Sequence, residues 1–262
     1  MIPNILSIAG SDPSGGAGIQ ADIKAISANG GYAMAVITGL TAQNTRGVRA
    51  LRMVDPGMIT AQIAAIREDI RIDAVKIGML GDAGTVQTVA DALEGLEASV
   101  ILDPVMVAKG GYRLLAADAV DALRTRLVPK AAILTPNLPE AADLLDMAEA
   151  VDINAMRDQG ERLLALGCEA VLMKGGHLMG SAPDLLIEPS GVTELIAPRI
   201  DTPNTHGTGC SLSSALAARI GMGDPPQVAV RHAKSFVTDA IAEAHRLKVG
   251  GGHGPIHHFH RI

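Results

Sequence analysis

The sequence predicts an α/β fold of three layers, α/β/α, with a central, mostly parallel sheet and one antiparallel edge. Three observations predict it. Short apolar runs alternate with helical patterns along most of the chain, nearly every run ends in a turn rich in glycine, proline or polar residues, and residues 185–196 break the alternation with a hairpin pattern. The chain has 262 residues, 48% of them hydrophobic, which is ample material for one core. No repeat or linker composition divides it, so residues 1–262 are expected to form a single domain.

The first run, Ile5-Leu6-Ser7-Ile8-Ala9, leads into the turn Gly10-Ser11-Asp12-Pro13-Ser14-Gly15-Gly16-Ala17-Gly18 and then a helical pattern through Ile19, Ile23 and Ile26. The turn has neither the G-x-G-x-x-G spacing of a dinucleotide fold nor the G-K-[ST] ending of a P-loop, so neither reading applies. Ala33 to Leu40 reads as the second strand, ending in Thr41-Ala42-Gln43-Asn44-Thr45. Asp55-Pro56 supplies an N-cap and a proline at the first helical position, ahead of a helix through Ile59, Ile63 and Ile66. Ala74 to Ile77, Val100 to Leu102, Ala132 to Leu134 and Ala170 to Lys174 read as further strands. Leu185–Ile187 and Val192–Ile196, joined by Glu188-Pro189-Ser190-Gly191, form the hairpin, and two helices over about 208–220 and 225–247 follow.

Composition excludes several classes of function. A net charge of −6 and an aromatic content of 2% with no tryptophan leave neither a basic stripe nor stacking platforms for nucleic acid. No apolar run is long and uninterrupted enough for a membrane span, and residues 1–4 carry no basic region ahead of the first strand, so a cytoplasmic protein with small-molecule partners is expected. Cys168 and Cys210 are too few for a disulfide framework and are read as reduced thiols. The tail histidines His253, His257, His258 and His260 form neither a uniform tag nor a zinc-site spacing.

Ligands of open α/β sheets bind beyond the carboxyl ends of the strands, and the polar clusters of this chain follow its apolar runs. Asn204-Thr205-His206-Gly207-Thr208-Gly209-Cys210 opens a helix-forming run. Its glycines allow a tight turn whose N–H groups, with the helix dipole, would hold phosphate or oxyanion. The same field predicts a lowered pKa for Cys210, hence a base or nucleophile near neutral pH, against the plainer reading of a small core residue. Asp103, Asn137 and Glu140 offer oxygen ligands for Mg²⁺, although Asn137 with Glu140 is also the pattern of a capping box. Lys174, ending an apolar strand, needs a counter-charge that a triphosphate would supply. Gln43 offers the acceptor and donors that pair with an exocyclic amine and a ring nitrogen, against the plainer reading of a surface loop glutamine.

These motifs resemble, in order and nearly end to end, those of the hydroxymethylpyrimidine/phosphomethylpyrimidine kinases of thiamine biosynthesis, in the ribokinase-like superfamily. The resemblance is carried by Ala9 to Asp22, Lys76-Ile77-Gly78-Met79-Leu80, Thr135 to Ala141, Met173-Lys174-Gly175-Gly176-His177, Asn204 to Cys210 and Gly254 to His260. It implies ATP-dependent phosphorylation of 4-amino-5-hydroxymethyl-2-methylpyrimidine to its monophosphate and then to the diphosphate, with Mg²⁺. It places Gly10, Asp12, Gln43 and Met79 at the pyrimidine, and Lys174 and Thr208 near the phosphates beside Asn137 and Glu140. Asp103 and Glu140 would attend the metal. Gly207, Thr208 and Gly209 would form the anion hole, and Cys210 stands where many sugar kinases of the superfamily carry a catalytic aspartate. Lys109-Gly110-Gly111-Tyr112 has the composition of a covering loop. A homodimer is expected. The competing readings are a pyridoxal kinase of the same superfamily and, in a different class, a non-catalytic pyrimidine-binding regulator.

Overall fold

The computed structural model describes residues 1–108, 111–176, 178 and 183–261. Its strands are β1 (Asn4–Ser11), β2 (Tyr32–Asn44), β3 (Gly47–Met53), β4 (Ala74–Ile77), β5 (Ser99–Leu102), β6 (Ile133–Leu134), β7 (Val171–Met173), β8 (Asp184–Glu188) and β9 (Gly191–Leu195). They join one sheet in the order β3-β2-β1-β4-β5-β6-β7-β8-β9. The strands from β2 to β7 pair in parallel, while β3 pairs antiparallel with β2, and β8 and β9 extend the other side antiparallel. Both edges are therefore antiparallel, where the sequence reading expected one. The expected strand at 33–40 also runs on to Asn44 and turns through Gly47 into β3, none of whose residues is buried and whose pattern alternates too weakly to announce a strand.

The helices are α1 (Gly18–Ala28), α2 (Pro56–Asp69), α3 (Ala83–Ala92), α4 (Ala119–Ala122), α5 (Leu138–Leu145), α6 (Ile153–Leu164), α7 (Thr208–Gly221) and α8 (Pro226–Ala242). Asp55 caps α2 by accepting from the N–H groups of Gly57 and Met58, with Pro56 at the first position.

Successive side chains of a strand point to opposite faces, and here the alternation divides the core in two. Leu6, Val75, Leu102 and Leu134 face one way, against Ile59 and Ile63 of α2, Val86 and Val89 of α3, Leu144 of α5 and Leu163 of α6. Their neighbours Ile5, Ala74, Ile101 and Ile133 face the other, against Ile26 of α1, Leu216 of α7 and Phe236 of α8. Each large aliphatic side chain so buried contributes ~1.5–3 kcal/mol over exposure. A sheet with helices on both faces is the three-layer arrangement expected from the sequence. The helix α7 lies across β1, β4 and β5. Ser213, Ser214, Ala215, Ala217 and Ala218 are all buried there, their small side chains letting the helix sit low on the sheet. Its N-terminus is thereby held beside the carboxyl ends of those strands.

Candidate active site

The chain reverses direction of travel across the sheet between β1 and β4, because β2 lies on one side of β1 and β4 on the other. Such a switch point opens a crevice beyond the strand ends. A cavity of about 180 Å³ lies there, and it brings Gly10, Asp12, Gln43, Met79, Asp103, Asn137, Glu140, Lys174, Gly207, Thr208, Gly209 and Cys210 to one wall. Every site residue expected from the sequence thus lines it. A second, larger cavity of about 810 Å³ shares Asn137, Lys174, Thr205, Thr208 and Gly209 with the first and extends past Pro198, Val237 and Ile241. One compartment is small, with the Gln43 amide in its wall, the other is roomy, and the cation and the helix N-terminus stand between them.

At the far end of the small cavity, Gln43 lies on β2 and not in a loop. Gly10 and Met79 close the wall: a Cβ at Gly10 would stand 2.5 Å from Met79 Cε, so glycine leaves the methionine end room to lie where it does. Asp12 lines the cavity but its oxygens are already engaged. One accepts from the N–H and hydroxyl of Ser14 at 2.8 and 2.7 Å, and the other from Ala17 N at 2.9 Å and His206 Nε2 at 2.7 Å. Burial would raise this carboxyl, yet the bonds from His206 and Ser14 hold it below the ordinary range. Asp12 therefore shapes the first turn and ties it to the turn before α7.

The charged centre is a buried cluster. Lys174 Nζ lies 2.9 Å from Asp103 Oδ1 and 3.7 Å from Glu140 Oε2. Asp103 also accepts from Thr135 and Ser213 hydroxyls at 3.3 Å each. Burial works against the Asp103 charge, and Lys174 and Lys76 overcome it, holding the carboxyl below its usual range. Glu140 is pushed the other way, to about 7, by burial, with Lys174 opposing and Asp103 adding to the rise. Glu140 and Asn137 do form a capping box on α5, with reciprocal bonds of 2.8 Å. The structural and the ligating readings of this pair thus coexist, because the box leaves Glu140 facing Lys174.

Among the described residues no group of three or more histidine, cysteine, aspartate or glutamate side chains is gathered as a metal cage. Mg²⁺ does not require such a cage, since it takes one or two carboxylates and completes its shell with phosphate and water. Asp103 and Glu140, drawn together by one ammonium, are such a pair.

The turn before α7 is built around Gly207. Its φ is +79°, a left-handed conformation, and a Cβ there would lie 1.8 Å from the carbonyl oxygen of Gly16. Only glycine meets both conditions. The first-turn N–H groups of α7 have no acceptor within the helix, that of Thr208 donating back to Thr205 O at 3.4 Å, and Gly209 lies beside Lys174 and Asp103, a Cβ there standing 3.5 Å from Lys174 Nζ. The expected lowering of the Cys210 pKa is corrected by the structure: burial pushes the thiol up to about 11, with Lys76 pulling it down and Asp22 and Asp103 pushing it further up. Burial is the largest of these causes and sets the direction.

Sequence reasoning missed two parts of the site. Lys76, wholly buried, stands 3.0 Å from both oxygens of Asp22, which also accepts from Ser7 at 2.6 Å and Ser214 at 2.8 Å. A lysine among the apolar residues of β4 was the available signal, since such a charge demands a partner. The other is the tail. His206 N donates to Gly254 O at 3.0 Å, His258 Nε2 meets Ser211 Oγ at 2.8 Å, and His253 N donates to Thr45 O at 2.8 Å. The tail therefore braces both the α7 turn and the β2–β3 hairpin. Burial lowers the His258 pKa to about 4. Val107 and Ala108, just ahead of the expected covering loop, line the cavity, while Lys109 and Gly110 of that loop lie outside the described residues, as does His177.

The phosphomethylpyrimidine kinase family model matches residues 12–257. The chain belongs to the phosphomethylpyrimidine kinase family. It is 51% identical to the hydroxymethylpyrimidine/phosphomethylpyrimidine kinase of Escherichia coli (strain K12), over 98% of this chain and 97% of that one. Among solved structures it is similar to a phosphomethylpyrimidine kinase from Clostridium difficile 630, with 41% identity, a TM-score of 0.82, and coverage of 91% of this chain and 99% of that one. It is also similar to a Bacillus subtilis pyridoxal kinase in an ADP complex, with 36% identity, a TM-score of 0.91 and 98% of each chain covered. The protein is a kinase. No helix among its described residues is long and apolar enough to cross a membrane.

Proposed function

We propose that this kinase transfers the γ-phosphoryl group of ATP to the hydroxymethyl oxygen of 4-amino-5-hydroxymethyl-2-methylpyrimidine, and then a second phosphoryl to the monophosphate so formed, giving the diphosphate used in thiamine biosynthesis. The observation that carries this reading is the junction of two cavities at Lys174, Thr208 and Gly209. The small one suits an aminopyrimidine, read by Gln43 between Gly10 and Met79. The larger one suits the nucleotide.

In each step the acceptor oxygen bonds to the γ-phosphorus, the bond from that phosphorus to the β–γ bridging oxygen breaks, and ADP leaves. The alcohol's proton passes to a phosphate oxygen or solvent in the first step, while the monophosphate attacks in the second through an oxygen already ionised. Phosphoryl transfer asks mainly for positioning and charge compensation. The first-turn N–H groups at Gly207 to Cys210 receive the moving phosphoryl, and Lys174 exchanges Asp103 and Glu140 for phosphate oxygens. Asp103 and Glu140 would hold Mg²⁺, which supplies further charge compensation on the phosphates. Cys210 contacts the acceptor hydroxyl. With its pKa near 11, the thiolate fraction at pH 7 is on the order of 10⁻⁴. Positioning is therefore the larger part of its role, and a loose transition state calls for little base strength before the new P–O bond forms.

A pyridoxal kinase is among the similar solved structures, at 36% identity over 98% of each chain, so pyridoxal phosphorylation is the competing reading. The test is a substrate panel of the pyrimidine alcohol, its monophosphate and pyridoxal with ATP and Mg²⁺. A kcat/KM for pyridoxal above that for both pyrimidines would reverse the assignment. A cytoplasmic homodimer belongs to the same reading, checked by light scattering of the purified chain.

A further inference from the structure

The end of Gln43 is surrounded by groups whose hydrogens are already committed. Thr41 Oγ1 lies 2.9 Å from the Ser11 carbonyl oxygen and 3.2 Å from Gln43 Oε1. A hydroxyl has one proton, and the shorter contact takes it, so Thr41 Oγ1 turns only lone pairs towards Gln43. His206 Nε2 lies 2.7 Å from Asp12 Oδ2 and 3.4 Å from Gln43 Nε2. A carboxylate only accepts, so this ring nitrogen carries the proton and has no lone pair for the amide nitrogen. Oxygen facing oxygen and N–H facing N–H are both repulsive. Turning the carboxamide by half a revolution about its last torsion makes both contacts favourable without moving its outline.

We propose that Thr41 and the Asp12–His206 pair set the polarity of the Gln43 carboxamide, with Nε2 donating to Thr41 and Oε1 turned to His206, and so decide which way round the aminopyrimidine docks. The inference rests on Gln43 reading the aminopyrimidine edge. On that edge the exocyclic amine donates to Oε1 and the neighbouring ring nitrogen accepts from Nε2. With Oε1 on the His206 side, the amine lies on that side too. The hydroxymethyl group sits on the carbon next to the amine-bearing one, so it is carried towards the turn that runs from His206 through Gly207 to Cys210, all of which line the same cavity. The opposite polarity would put the ring nitrogen there and turn the hydroxymethyl group away from the anion hole. Thr41 and His206 are thus positioning residues for acceptor register, acting through Gln43. His206 joins the register to the anion hole because the same residue begins the turn into α7.

The test measures kcat and KM for the aminopyrimidine alcohol and for its analogue lacking the amine, in the wild type, Thr41→Val, Thr41→Ser and Gln43→Leu, with KM for ATP alongside. Thr41→Val keeps the side-chain shape and removes the oxygen. It should lower the preference for the amine-bearing alcohol by about 10-fold, chiefly through KM. KM for ATP should move less than about 2-fold, and Thr41→Ser should restore the preference. Thr41→Ala carries the same expectation should the valine variant fold poorly. A preference retained in both Thr41→Val and Thr41→Ala while Gln43→Leu abolishes it would leave the reading of Gln43 standing and overturn the polarity inference. A preference retained in Gln43→Leu would overturn both.

Discussion

Replacing Lys76 by methionine removes the cation from a site with no solvent to replace it. Nζ and the Asp22 carboxylate are both fully buried, with 3.0 Å to each oxygen. After the change Asp22 retains only the hydroxyls of Ser7 and Ser214 as partners for a full negative charge. Breaking a buried pair from one side costs about 3–5 kcal/mol, since the remaining charge is uncompensated. At about 2.1 cal/mol/K of unfolding entropy per residue, a chain of this length should then melt about 5–9 °C lower. Neutralising the partner as well, in Lys76→Met with Asp22→Asn, should recover much of that loss, because an amide pays far less for burial than a carboxylate and still meets both serines. Thermal melts of the four proteins of this cycle at pH 7 decide the matter. Lys76→Met melting within about 2 °C of the wild type would refute the reasoning. So would a double variant that loses the sum of the two single losses. The same melts matter for function, since Lys76 lies in the wall of the small cavity and is the cation that opposes the rise of the Cys210 pKa.

Three further expectations follow from the charged centre. Lys174→Met should lower kcat/KM for both acceptors by about 100-fold or more, and for the monophosphate at least as much as for the alcohol, because the second complex gathers more negative charge at one cation. An intact monophosphate reaction would point to a separate phosphate pocket. Cys210→Ala should lower kcat for both acceptors while KM for the pyrimidine holds, and near-normal turnover would remove Cys210 from the reacting groups. Glu140 has its folded pKa raised to about 7 from an ordinary 4.5, so its stabilising contribution is fully present below about 4.5 and is lost as the pH rises through 7. Glu140→Gln keeps the capping box and removes this titration, so between pH 5 and 8 the wild type should lose stability relative to the variant, and parallel melting curves would contradict the raised pKa.

Much of this protein was determined by local sequence. The paired residues Ile5 and Leu6, Ile101 and Leu102, and Ile133 and Leu134 are apolar at consecutive positions, which already requires a sheet buried on both faces. Gly207 supplies the left-handed turn that the glycines of 207–209 announced, and Asn137 with Glu140 announces the start of α5. The family resemblance likewise was carried by contiguous motifs, and every residue it put forward lines the same cavity.

What only the tertiary structure decided depends on distance between residues far apart in the chain. The β3 strand is an exposed edge whose partner is the end of β2, so no apolar alternation was needed to hold it. Asp12, separated by 194 positions from His206, is a brace more than a ligand because of that pairing. The Cys210 thiol illustrates the difference most sharply. The helix N-terminus was legible and argued for a lowered pKa, but a pKa is a sum over all nearby charges and over solvent access. Burial and the carboxylates of Asp22 and Asp103 were brought there by α1 and β5 only when the chain folded, and in the closed pocket they outweigh the dipole.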